Sequence, residues 1–261
     1  MAFKYVATNL LDGDSLDSIS LPGEDAIYIA EHLYNNRPSK PFRFTSNVAQ
    51  YIRLHWADAQ RVTHISIFNH DLVGTGAFSF QIQALDGGAW GVPTYTQNLT
   101  LQDYSLYEHL DQTYQWWQIY INDPDHTTFP QIGELVFGQH AEFANGYVQP
   151  DWSQNLNFSI AEEKTYFGQN WDYYLSDCKE FNIKIKNLNN PANIDDLETF
   201  FRSIGGAAGR FVFIPHDDYP YCFFVKIANT SLQNLQIVRG TNDLNEWTMT
   251  LKTLVRGIKL L

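Results

Sequence analysis

One stretch of this 261-residue chain has the period of a helix, and it is embedded in segments that alternate like strands. Ile194, Leu197, Phe201 and Ile204 recur at intervals of three or four and form a single apolar stripe. Asn193 is placed to cap the helix, and Asp195, Asp196 and Glu198 fall in its first turn, where acidic groups favour the dipole. Gly205 and Gly206 then stop it. FVFIP (residues 211–215), a longer apolar run at 221–227 and WTMTLKTLV (247–255) follow as strands. Such a pattern can build a sheet with one helix laid against it. No motif within it carries catalytic chemistry.

Residues 1–140 read as short strands at the spacing of a β-sandwich or jelly roll. FSFQIQA (78–84) alternates strictly, with Phe78, Phe80, Ile82 and Ala84 on one face and Ser79, Gln81 and Gln83 on the other. YIRLHW (51–56) places Ile52, Leu54 and Trp56 together. VTHISIF (62–68), WWQIYI (116–121) and IGELVFG (132–138) complete the set. Turn signals around Pro38, Pro41, Asp86–Gly88 and Asn122–Asp125 separate them. The polar segment 138–155 suits a connector, and strands are expected at 156–160 and 180–188. The predicted organisation is therefore two β domains, 1–145 and 146–261.

Composition narrows the class of function. The net charge is −12, from 17 basic and 29 acidic residues, with no basic stripe to neutralise phosphates. Specific nucleic-acid binding is not expected. No run approaches the roughly 20 apolar residues that span a bilayer, and the N-terminus lacks the pattern of a cleaved signal peptide. A protein of this kind is expected to be made and assembled in a cytoplasm, without membrane association. Cys178 and Cys222 give no disulfide framework and are read as buried free thiols.

Candidate chemistry is sparse. His216, Asp217 and Asp218 could offer donors to a metal, but the same residues make an ordinary turn. Asp12, Gly13, Asp14 and Asp17 resemble the start of a calcium loop and lack its closing glutamate. No nucleophile elbow or phosphate loop is present. A glycosidase would need two carboxylates about 5–10 Å apart, which a sequence cannot place. Neither catalysis, a metal nor a cofactor is expected. The remaining hint is aromatic: Trp90, Trp116 and Tyr120 could face a sugar or another protein. Trp117 shares its strand face with Ile119 and Ile121 and belongs to a core.

AEHLYNNRPSKPFRFTS (30–46) and YIRLHWADAQRVTHISIFNHDLVGTGAFSFQIQAL (51–85) resemble the galactose-binding jelly roll of discoidin-type modules and some phage tail proteins. The resemblance implies that Arg43 matches the Arg of that family's irregular loop and Asn69 the Asn near the end of its central strand, which makes both candidate glycan or interface residues. The helix at 193–206, FVFIPHDDYP (211–220) and EWTMTLKTLVRG (246–257) resemble the tail-tube-type β-sandwich with one flanking helix. Together they imply a structural protein of a phage tail tip, in the distal tail or baseplate hub. It would form a homo-oligomeric ring of three, six or a multiple, contact other tail proteins and reside in the virion. The order of the two domains is reversed from that expected for distal tail proteins. A carbohydrate-binding adhesion module for host-surface glycans is the alternative.

Overall fold

A computed structural model of the chain describes residues 4–12, 16–23, 27–87, 90–101, 105–142, 151–164, 170–186, 191–206, 209–215, 222–228 and 246–254. Within them the protein is mainly β, with antiparallel sheets and one α-helix. The strands are β1 (Lys4–Val6), β2 (Leu16–Ser20), β3 (Phe42–Arg43), β4 (Gln50–Phe68), β5 (Ser79–Leu85), β6 (Tyr95–Asn98), β7 (Ser105–Asn122) and β8 (Gln131–Ile132). They continue with β9 (Glu134–Gly138), β10 (Ala141–Glu142), β11 (Asp151–Lys164), β12 (Asn170–Lys186), β13 (Arg210–Ile214), β14 (Phe223–Ile227) and β15 (Glu246–Thr253). Helix α1 (Pro191–Ser203) lies between β12 and β13. None of the described helices is long and apolar enough to cross a membrane.

The chain divides into two compact units. One holds Val6–Ala141 with Tyr219–Cys222, and the other holds Met1–Tyr5, Glu142–Asp218 and Phe223–Leu261.

The first unit is jelly-roll-like, built on a sheet ordered β2-β4-β7-β5-β6, with β9 also on β4 and a small β3-β8 sheet beside it. Its strands alternate because one face is dry. Ile52, Leu54 and Trp56 of β4 lie beside Trp117, Ile119 and Ile121 of β7 and Phe80, Ile82 and Ala84 of β5, all buried in one core. Phe42 and Ile132 of the small β3-β8 sheet, with Phe44 beside it and Phe137 of β9, belong to the same core. Burying one such side chain is worth about 1.5–3 kcal/mol.

Segments 51–56 and 62–68, which the alternation suggests are separate strands, form one strand of 19 residues. Ala57, Asp58 and Ala59 are exposed there, and the register slips between His55 and Gln60 and again between Val62 and His64. The slips bend β4 and interrupt its two-residue period without ending it. Residues 116–121 likewise extend backwards into the 18-residue β7.

In the second unit the described strands form one seven-stranded sheet, ordered β10-β1-β13-β14-β15-β12-β11. Phe181, Ile183, Met249, Leu251, Val225 and Phe211 are buried at matching positions along it. Helix α1 begins at Pro191 rather than after Asn193, since proline is suited to the first helical position. The first turn consequently carries no acidic residue. Leu197, Phe200 and Ile204 are buried, whereas Phe201 is half-buried, so the inward phenylalanine is Phe200. Its ring meets Tyr5 edge-on at 4.7 Å and Phe211 at 5.4 Å. The side chain of Ile194 lies outside the described residues. Gly205 and Gly206 end the helix with φ of 73° and 69°, a left-handed conformation that disfavours other residues.

The expected connector is shorter than its composition suggests, because Asp151–Asn155 already pairs with β12. Residues 143–150 lie outside the described set. The polar run NWDYYLSDCKE also belongs to β12, which starts ten residues before the expected 180. It pairs with β11 at the sheet edge, where backbone hydrogen bonds set the structure and no clean side-chain alternation is required.

Candidate functional site

The dry face of the β4-β7-β5 sheet implies a second, wetter face made of the intervening residues. Cross-strand register aligns them in rows. Tyr51 lies opposite Tyr120, which faces Gln81. Arg53 lies opposite Gln118, which faces Gln83. His55 lies opposite Trp116, which faces Leu85.

The middle of this face is a directed hydrogen-bond run crossing four strands. Nε of Arg53 donates to Oε1 of Gln118 at 2.7 Å. Nε2 of Gln118 donates to Oε1 of Gln83 at 2.9 Å, and Nε2 of Gln83 donates to Oε1 of Gln81 at 2.8 Å. Nε2 of Gln81 then donates to Oδ1 of Asn98 at 2.9 Å. Each amide orients the next, and aligned dipoles of this kind polarise one another.

Aromatic rings border the run. The Arg53 guanidinium sits 3.8 Å from the centre of the Tyr51 ring and 5.4 Å from that of Trp90. Such cation–π contacts are worth about 0.5–2 kcal/mol. His55 stacks on Trp116 at 3.8 Å with 20° between the planes, and its Nδ1 meets Asp17 Oδ2 at 2.8 Å. Trp116, Tyr120, Tyr51 and Trp90 are all partly exposed. Trp117, on the opposite face, is fully buried.

Trp90, Trp116 and Tyr120 thus belong to the region of this face. Arg43 and Asn69 belong to a different part of the unit, around β8. Arg43 pairs with Gln131, and its guanidinium lies 4.1 Å from the centre of the Tyr28 ring. Asn69 follows β4 with φ of 54°, and its side-chain amide donates to the Pro38 carbonyl at 2.6 Å. Those contacts hold a turn. Sequence reading missed Arg53, Gln118, Tyr51, His55 and Asn98 as site residues. Alternation had put Gln81 and Gln83 on the outer face, but only register brings them into line with Gln118 and Arg53.

Among the described residues, no group of three or more His, Cys, Asp or Glu is placed to hold a metal ion. His216, Asp217, Asp218, Gly13 and Asp14 lie outside the described residues. Cys178 and Cys222 are free, the first half-exposed and the second buried.

No family model matches the sequence, and no curated protein matches it. Solved structures do. A chitosan-binding module of a chitosanase/glucanase from Paenibacillus sp. IK-5 is 14% identical, with a TM-score of 0.38, over 51% of this chain and 99% of that one. A fucose-binding module of Streptococcus pneumoniae is 13% identical, with a TM-score of 0.39, over 51% of this chain and 98% of that one. A Clostridium perfringens module solved with GalNAc-β-1,3-galactose is 9% identical, with a TM-score of 0.36, over 47% of this chain and 94% of that one. Similarity at this level assigns no ligand to the present chain.

Proposed function

We propose that this chain is a non-catalytic binding protein that holds an oligosaccharide against the outer face of its β4-β7-β5 sheet. The observation that carries this reading is the amide run from Arg53 to Asn98 with aromatic rings beside it. Sugars present an apolar ring face together with hydroxyls that both donate and accept. A partly exposed aromatic surface beside fixed amides matches both features. Trp116 and Tyr120 stand four residues apart on β7, roughly 13 Å at about 3.3 Å per residue. A ligand touching both is therefore longer than a single ring. The decisive experiment is a glycan array with the full chain beside Trp116→Ala and Tyr120→Ala. Binding by wild type that falls at least tenfold in both variants is expected. Variants that bind as wild type does would remove the face from consideration.

A second reading has its own support. Strand β11 is 14 residues long and ends its sheet, and among the described residues no strand pairs with its outer side. A long edge of this kind is usually covered, and a closed ring of copies would cover it. This is the reading of the chain as a tail-tip ring protein of a phage virion. Light scattering over a concentration series tests for the ring, and antibody labelling of purified particles tests for the virion. A monomer at all concentrations, absent from particles, would exclude it.

A further inference from the structure

We infer that the face takes a glycan bearing a single carboxylated sugar, with the carboxylate received by the Arg53 guanidinium. This rests on the glycan-binding reading and narrows it. Three observations lead to it.

Arg53 is a cation at the centre of this face, and none of the described carboxylates pairs with it. Its contacts are the Gln118 amide and the rings of Tyr51 and Trp90. Arg61, by contrast, pairs with Asp111 at 2.8 Å, and Arg202 pairs with Glu198 at 3.5 Å. Asp17, a carboxylate that reaches this face, is engaged by His55.

The Arg53 side chain is also held in position before any ligand arrives. Gln118 uses the Nε donor, and Tyr51 supports the flat side of the group. Guanidinium has five N–H donors, so four remain at the Nη edge, in the fork that matches a carboxylate. A pre-positioned fork loses little side-chain entropy on binding.

The surroundings limit the acid to one. Beyond Arg53 the run is neutral amide, through Gln118, Gln83, Gln81 and Asn98, suited to hydroxyls rather than to further charge. With a net charge of −12 on the whole chain, a polyanion would be repelled, whereas one local acid meets one local cation.

An array of glycans terminating in glucuronate, galacturonate or sialate tests this. Each is printed beside its neutral parent and beside the same glycan with its carboxyl amidated. The full-length chain is expected to bind at least one acidic glycan at least tenfold more tightly than its parent, and to lose that margin on amidation. The margin should also shrink with added salt. Arg53→Gln should abolish the preference, so that any glycan it still binds is held no more tightly in its acidic form than in its neutral one. Amidation tests the same contact with no change to the protein, so a poorly folded variant cannot obscure the answer. Equal binding of acidic and neutral glycans would overturn the inference and leave the glycan-binding reading standing. A preference that survives both amidation and Arg53→Gln would overturn it as well. Binding to no glycan at all would remove both.

Discussion

Arg53 and Gln118 sit directly opposite each other on adjacent antiparallel strands, and the arginine Nε donates to the glutamine Oε1 at 2.7 Å. Gln118 is only 6% exposed, so both ends of its amide are satisfied by protein. Replacing it by alanine leaves two partners without their bond. A loss of about 1–3 kcal/mol in urea unfolding is expected, the usual effect of orphaning largely buried polar groups. A double-mutant cycle with Gln83→Ala should show coupling of at least about 0.5 kcal/mol, since the two residues share one run. Strict additivity would mean that the run contributes nothing as a unit.

Tyr5 belongs to the same compact unit as Glu142–Asp218 and packs edge-on against Phe200 at 4.7 Å. It is 6% exposed, and its strand β1 joins β13 in the seven-stranded sheet. Tyr5→Ala should cost that unit about 3–5 kcal/mol, as for other large-to-small aromatic changes in a core. A fragment starting at residue 146 lacks Tyr5 and should be unfolded by circular dichroism. Supplying residues 1–12 as a peptide should restore part of its structure. A stable, cooperatively melting 146–261 fragment would contradict this placement of β1.

Phe200→Ala should similarly cost about 3–5 kcal/mol, and Phe201→Ala clearly less, because only Phe200 is fully buried. Thermal melts of the two variants side by side decide between them. Equal losses would mean that the helix presents a different face.

His64 is fully buried, and its pKa is held well below the ordinary 6.5, first by burial and then by the neighbouring His109 and His140. The folded value is lower than the unfolded one, so the unfolded chain takes up this proton more readily. The associated stability is complete above pH 6.5 and declines as pH falls below it. The slope should be about 1.4 kcal/mol per pH unit for this one proton. Urea midpoints measured between pH 4 and 8 should show the decline, and His64→Leu should flatten it. An unchanged slope in the variant would assign the acid sensitivity to other groups.

Gly133 lies where a Cβ would run into the Pro38 carbonyl and, at 2.8 Å, the Cβ of Asn69. Its own N–H donates to the carbonyls of Phe68 and Asn69, both at 3.1 Å. Gly133→Ala must push this backbone apart, at a cost of about 1–3 kcal/mol. A lowered melting temperature is the expected readout, and an unchanged one would mean that the turn can shift freely.

Much of the architecture was legible in the sequence, since a two-residue period with one dry face leaves little freedom over which side chains go inside. Phe80, Ile82, Ala84, Ile52, Leu54, Trp56 and Trp117 were identifiable as core from alternation alone. So were the helix at Leu197–Ile204 and its stop at Gly205. The tertiary structure decided three matters that no local pattern contains. Phe200 and Phe201 both fit an apolar stripe, being three and four residues after Leu197, and Tyr5 and Phe211 select the former. Strand β1 takes its place in a sheet more than 130 residues away in sequence, a pairing between distant segments that local propensity does not specify. The face itself depends on register. Arg53, Gln118, Gln83 and Asn98 are unremarkable polar residues on four separate strands, and a shift of one residue in any pairing would turn that strand's polar row inward. Burial of the opposite face fixes the register, and the register makes the run.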